Sequence, residues 1–306
     1  MIDITKRHID FIKYQWIGFV VLTVILSTFA GFYFYRGGFN YGIDFTGGTQ
    51  VILRFEKPIE SNQLRDLLIS QDWRGMSVSE FDKHDFRVRI QEVSVETVGL
   101  GEKIKDLAEK GFPGNNVTLL QSEHVSASIG HSLIWNAIYA MLLAILLMMI
   151  YIFARFTFSF AVGAVVSLIH DAFAIGAFFL LFNREVSVDV VAAVLLVLGY
   201  SMNDTIVIFS RIREQFKHAG QASDTELVNR AINTTLKRTL LTSFATLLVV
   251  SSVLILGGEA LRNLALALFV GIFVGTYSSI FIASPVMLLL RGHGKKEIGQ
   301  SSAHSV

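Results

Sequence analysis

Residues 194–210 read VLLVLGYSMNDTIVIFS, an apolar stretch long enough to cross a bilayer that carries a single carboxylate, Asp204. An ionisable group at that depth is costly, and points to a relay, a transport path or a buried pair. The competing reading is a polar residue that only holds two helices together. Asp204 lies six residues before Ser210, the inner end of the span. At 1.5 Å rise per residue that is about 9 Å of helix. Desolvation favours a neutral acid and a nearby cation favours the carboxylate, so a group that alternates between the two can take up and release a proton. Asn203, Ser201 and Thr205 are candidates for a hydrogen-bonded path beside it. Arg211, seven residues on, and Arg238, at the start of the next apolar run, are candidate cationic partners. Thr239, Thr242 and Ser243 follow Arg238, although buried hydroxyls often bond only to their own helix.

Five more segments have the length of a membrane helix: Ile17–Tyr35, Leu133–Phe153, Phe158–Phe182, Thr239–Leu256 and Leu264–Leu290. With Val190–Ser210 they make six spans. Their apolar residues run continuously rather than alternating, which favours helices over barrel strands. Charged residues make up 17% of the 306, against about 25% in soluble domains, and the deficit falls in these runs. The net charge of +1 and the lack of dense basic and aromatic interleaving argue against a nucleic-acid surface. Cysteine is absent, so there is no disulfide framework, thiol nucleophile or thiolate metal site. No cofactor motif is present. The first run follows Lys6, Arg7 and Lys13, has no small-residue cleavage signal, and is flanked by Trp16, Tyr33 and Tyr35. Those flanks suit an anchored helix better than a signal peptide.

Basic residues set the orientation. Segments 1–16, 154–157, 211–238 and 291–306 hold thirteen Lys and Arg, whereas the short loops 183–189 and 257–263 hold only Arg184 and Arg262. The positive-inside bias predicts cytoplasmic termini and an extracytoplasmic insertion at 36–130. The resulting division is 1–35 for the N-terminus and first helix, 36–130 for the outer domain, 131–290 for the remaining helices, and 291–306 for a cytoplasmic tail.

The insertion reads as a small α/β domain. Val51, Leu53 and Phe55 share one face of a strand at Thr49–Glu56, and Phe86, Val88 and Ile90 share one face of another. A helix is expected from Ser61 to Ile69, capped by Ser61 or Asn62, and a second from Glu96 to Lys110 with Gly111 as its stop. Val117–Leu120 resumes a strand, and Ser77–Phe81 supplies the remaining one if the order is β-α-β-β-α-β, a ferredoxin-like arrangement. Between the fourth and fifth spans, Ser223-Asp-Thr-Glu226 matches a capping box and predicts a short amphipathic helix along the inner surface; the alternative is a solvated connector.

His170 and Asp171 sit within the third span and point in different directions round a helix, so they do not make a two-ligand metal face. Asp171 is a proton-relay candidate or an internal pair. Gly37-Gly38 and Gly47-Gly48 bracket Phe-Asn-Tyr-Gly-Ile-Asp-Phe-Thr, and no Gly-Lys-Ser/Thr follows, so this is not a phosphate loop. The glycines permit tight turns where the first span enters the insertion. Asp44 is placed to cap such a turn or to pair with a basic side chain. Gly271 and Gly275 have small-x-x-x-small spacing, which suits close helix contact either with a partner or within the bundle.

GGFNYGIDFTGGTQ at 37–50, GYSMNDTIVIFSRIRE at 199–214, LKRTLLTS at 236–243 and VGTYSSIFIASP at 274–285 together resemble the SecD/SecF family of protein-export membrane proteins, on its SecF side. The resemblance covers essentially the whole chain. It implies a six-helix membrane bundle like that of the resistance-nodulation-division exporters, with one outer domain. It also implies a bacterial inner-membrane location, a SecD partner, association with the SecYEG translocon and small auxiliary proteins, and use of proton motive force in late translocation of unfolded polypeptide. The family's fourth-span acidic site falls on Asp204 and its fifth-span basic site on Arg238. Its entry motif includes Asp44, Phe45, Gly47 and Gly48. No enzymatic activity is implied. The competing functions are a scaffold that stabilises the translocon without using protons and, less well matched to six spans and one outer domain, a small-solute exporter.

Overall fold

A backbone inside hydrocarbon must satisfy its own N–H and C=O groups, which long uncharged runs do as helices. The computed structural model describes residues 9–71, 73, 75–90, 99–218 and 221–292. The expected tail from 293 onward, the first eight residues and the expected helix start at 96–98 lie outside the described residues. Contacts divide the chain into a membrane unit, residues 1–40 with 139–306, and an inserted unit, residues 41–138.

Among the described residues, six helices are long and apolar enough to cross a membrane. They are α1 (Gln15–Arg36), α5 (Ala127–Arg155), α6 (Phe158–Leu181), α7 (Val188–Lys217), α8 (Asp224–Leu256) and α9 (Gly258–Ser278), which continues to Gly292 through a π turn at Ser279–Ala283. α6, α7 and α9 form the buried centre, whereas α1 and α5 are peripheral. Leu168, Ile175 and Phe179 of α6 pack with Val197, Leu198 and Phe209 of α7 and Ile232 of α8. Leu142, Leu147, Phe244 and Leu256 stay exposed, as a surface meeting lipid or another subunit requires.

The π turn has a local cause. Pro285 has no N–H to give the carbonyl of Phe281 four residues back, and its ring crowds that carbonyl, so the helix widens. Ser284 Oγ donates to the carbonyl of Ser279 at 3.1 Å. Gly18 of α1 lies against the Phe281 carbonyl, where a side chain would collide.

The separate amphipathic helix expected after Ser223 does not exist. Ser223 is the cap, its Oγ accepting from the Glu226 N–H at 3.2 Å, but the helix then runs unbroken to Leu256. No Gly or Pro interrupts residues 224–256, and Leu227, Val228, Ala231 and Ile232 are buried, so packing carries one helix through both segments. Asn233 of α8 accepts from the Ile9 N–H at 3.0 Å and donates to the Ile9 carbonyl at 2.8 Å. Asn229 accepts from the Ile12 N–H at 3.1 Å. These side chains pin the segment before α1 onto α8.

The chain enters the inserted unit at the end of β1 (Asn40–Tyr41) and passes through α2 (Ile43–Thr46) into β2 (Gly48–Phe55). Gly47 and Gly48 have φ of 72° and 121°, a backbone that side-chain-bearing residues avoid, which explains the second glycine pair as a turn. The remaining elements are α3 (Ser61–Ile69), β3 (Ser77–Asp82), β4 (Asp85–Ile90), α4 (Leu100–Gly111) and β5 (Val117–Val125). The sheet order is β3-β4-β2-β5, every neighbouring pair antiparallel. Val51, Leu53, Phe55, Phe86, Val88 and Ile90 enclose a core with Leu64, Leu68, Ile104 and Ala108. The helix cap expected at Ser61 or Asn62 is instead Glu60, in a capping box with Gln63. Glu60 keeps extended backbone and its carboxylate reaches the N–H of Gln63, so the helix begins at Ser61. Gly111 closes α4 as its last helical residue, with its bare face against Leu67.

Candidate functional site in the membrane core

Two buried carboxylates sit at the junction of α6, α7, α8 and α9. Asp171 on α6 is fully buried. Its Oδ2 accepts from Ser201 Oγ of α7 at 2.5 Å, and its Oδ1 lies 3.1 Å from His170 Nδ1. The two α6 side chains that were expected to diverge are therefore joined, because an imidazole is long enough to fold back onto its neighbour's carboxylate. The other ring nitrogen, His170 Nε2, is buried with no hydrogen-bond partner among the described residues, and the Tyr277 ring lies alongside.

Asp204 lies one turn further along α7, 3% exposed. Its Oδ2 accepts from Ser243 Oγ of α8 at 3.4 Å, and Ser243 in turn accepts from Thr276 Oγ1 of α9 at 2.7 Å. Thr205 donates to the Ser201 carbonyl, a bond within its own helix. Thr276 follows Gly275, and a Cβ on Gly275 would stand 2.9 Å from Ser201 Cβ and 3.5 Å from Asp171 Oδ2. On Gly271 it would meet Val197 at 2.5 Å and Ile175 at 2.9 Å. Both glycines thus seat α9 against α6 and α7 of the same chain, occupying the face offered above to a partner.

The remaining candidates are placed elsewhere. Asn203 is exposed on the outward side of α7, about 100° round the helix from Asp204, and is not part of the hydroxyl chain. Arg211 meets Glu214 Oε2 at 2.5 Å and Thr234 Oγ1 at 3.4 Å instead of Asp204. Arg238 is exposed; its charge acts on Asp204 through space, without an ion pair. Thr242 is exposed and bonds to the Arg238 and Thr239 carbonyls of its own helix. Thr239 is buried, and its hydroxyl has no partner among the described residues. In the inserted unit, Phe45 is buried with its ring edge-on to Tyr41, and Asp44 lies in the first turn of α2. Among the described residues no cluster of His, Asp and Glu is arranged to hold a metal.

Sequence reasoning missed Thr276 altogether and attached Ser201 to the wrong carboxylate. The available signal was the run Gly-Thr-Tyr-Ser-Ser at 275–279, three hydroxyls and a phenol following a glycine in an apolar span. Chemically, the arrangement can bury a carboxylate in contact with rotatable hydroxyls, under the influence of a distant cation.

Comparisons with known proteins place the chain in a family. Residues 104–293 match the family model for the protein export membrane protein SecD/SecF C-terminal region, and residues 37–59 match the SecD/SecF GG motif. The protein translocase subunit SecF of Pseudomonas aeruginosa is 38% identical over 283 residues, covering 92% of this chain and 91% of that protein. SecDF of Thermus thermophilus is 38% identical over 276 residues, covering 90% of this chain but only 38% of the longer protein. The crystal structure of SecDF from Thermus thermophilus, titled a translocon-associated membrane protein, superposes with a TM-score of 0.84 at 35% identity, over 94% of this chain and 39% of that one. A SecDF structure in a super-membrane-facing form gives 0.70 over 96% of this chain and 40% of that one. With both glycine turns, five of the six spans and the Asp204 segment inside the matched residues, the chain belongs to the SecD/SecF family of protein-export membrane proteins.

Proposed function

We propose that the chain is an accessory subunit of the Sec protein-export machinery that works with SecD, beside the SecYEG translocon and its small auxiliary proteins. Protons moving down their gradient promote late translocation of unfolded polypeptide. The observation that carries this reading is Asp204: a carboxylate held among hydroxyls between three helices of a SecD/SecF-family membrane unit. Its charge changes with one proton, and the contacts that suit the charged and neutral forms differ, so protonation biases helix packing. A proton falling through about 100 mV releases about 2.3 kcal/mol, enough to shift a two-state equilibrium about fiftyfold. No covalent intermediate and no ATP hydrolysis enters.

The match covers two-fifths or less of the SecDF chains, which supports a reading in which this chain supplies one part of that machine and SecD the other. The four-part division at residues 1–35, 36–130, 131–290 and 291–306 belongs to this reading. So does a ferredoxin-like inserted domain, supported by two helices and a sheet ordered β3-β4-β2-β5. The deciding experiment is export of a secretory substrate into vesicles containing this chain and SecD, with and without an imposed proton gradient. A gradient-dependent increase that needs the chain supports the reading; equal stimulation without a gradient would favour a scaffold.

Orientation has its own test. The basic-residue bias puts residue 61 outside and residue 302 inside. Because the chain has no cysteine, Ser61→Cys and Ser302→Cys are the only thiols in their variants. An impermeant maleimide is expected to label the first in intact cells and the second only after lysis; reversed labelling would overturn the topology.

A further inference from the structure

Thr276 Oγ1 stands 2.7 Å from Ser243 Oγ and 2.8 Å from the carbonyl of Ile272. A hydroxyl has one hydrogen to donate and lone pairs to accept, so it serves one of these two acceptors at a time. Helical threonines commonly bond back four residues, which accounts for the Ile272 contact alone. The Ser243 contact, between two different helices, needs a separate reason.

Both protonation states of Asp204 supply one. When Asp204 is ionised its oxygens only accept: Thr276 donates to Ser243, and Ser243 donates to Asp204 Oδ2. When Asp204 is protonated its O–H donates to Ser243 Oγ, Ser243 donates to Thr276 Oγ1, and Thr276 donates to the Ile272 carbonyl. Two hydroxyls rotate, one proton is added, and every hydrogen in the chain keeps an acceptor. A buried polar group left without a partner costs free energy, so a group that must be stable in two charge states needs this reversibility.

We propose that Thr276 is a positioning residue for proton coupling, the pivot that lets the hydroxyl chain on Asp204 reverse direction when the carboxyl gains or loses its proton. This rests on the reading of Asp204 as the proton carrier. The other charged or titratable groups on the helices packed around Asp204 are Arg238 on α8, the His170–Asp171 pair on α6, bonded to Ser201 of α7, and Tyr277 on α9. None is a member of the Thr276 chain, so a change at Thr276 leaves them in place.

Thr276→Val keeps the shape of the side chain and removes the pivot. In vesicles containing the complex with SecD, gradient-driven export per intact complex is expected to fall about tenfold, the size of one lost partly buried hydrogen bond. The pH profile of export should be displaced from that of the unmodified chain. The infrared carbonyl band that disappears in Asp204→Asn should shift in frequency. Thr276→Ser, which keeps the hydroxyl, should restore all three. An unmodified rate, profile and band in Thr276→Val overturns the proposal. Equal impairment by Val and Ser with an unmoved profile and band also overturns it, since that pattern belongs to packing. If Asp204→Asn keeps full gradient-dependent export, the carrier reading itself fails. If Asp204→Asn is inactive while Thr276→Val behaves normally, only the pivot fails.

Discussion

Asp204→Asn abolishes the gradient-dependent part of export while leaving a folded complex with SecD. Asn matches Asp in size, and its amide oxygen can still accept from Ser243 Oγ, so the contact made at 3.4 Å survives. A neutral amide is cheaper to bury than a carboxylate, and the substitution should cost less than about 1 kcal/mol of stability. What it removes is the ability to exist in two charge states. Export with an imposed gradient is therefore expected to drop to the level measured without one, with normal complex recovery. Retention of the full gradient response would show that Asp204 only packs, and the scaffold reading would take precedence. Arg238→Ala gives a milder effect, because Arg238 is exposed and acts through space rather than by an ion pair.

The second large effect is expected at Gly275. A Cβ there already stands 2.9 Å from Ser201 Cβ, and a leucine side chain must displace Ser201 or Asp171. Overpacking of this kind costs about 1–3 kcal/mol. Pushing Ser201 away also strips the buried Asp171 carboxylate of its 2.5 Å donor, for about 1–3 kcal/mol more. Gly275→Leu should therefore lower the thermal transition and the yield of monodisperse protein, whether the chain is expressed alone or with SecD. Gly199 supplies the control: a Cβ there meets nothing within 4 Å, so Gly199→Ala should leave the isolated chain intact. A stable isolated Gly275→Leu chain that fails only to copurify with SecD would return this face to the partner.

The membrane helices and most of the inserted sheet were legible because their signals are local. A run of apolar residues has one way to satisfy its backbone in hydrocarbon. The alternation of Phe86, Val88 and Ile90 with Arg87 and Arg89 reads as a strand wherever the strand ends up. Gly47 and Gly48 announce a turn because their backbone angles are hostile to other residues. The buried carboxylates were visible for a similar reason, since Asp171 and Asp204 are conspicuous in spans that otherwise exclude charge.

Partner choice was not legible. Asn203 and Asp204 are adjacent in sequence and equally polar, yet one faces out and the other in. That depends on how α7 is rotated against α6, α8 and α9, which packing of side chains such as Val197 and Phe209 decides. Ser201 serves Asp171 rather than Asp204, and Thr276 reaches Ser243, because Gly271 and Gly275 bring α9 close to α7. The fusion of the capped segment at Ser223 with the fifth span is tertiary as well, resting on Leu227, Val228, Ala231 and Ile232 being buried along one helix. Sequence by itself determined which segments cross the membrane, which fold as α/β structure and which residues carry charge into the bilayer, because these follow from the solvation of each segment alone. Only the tertiary structure decided which hydroxyl meets which carboxylate, because a hydrogen bond between helices needs a rotation and a separation that no single helix encodes.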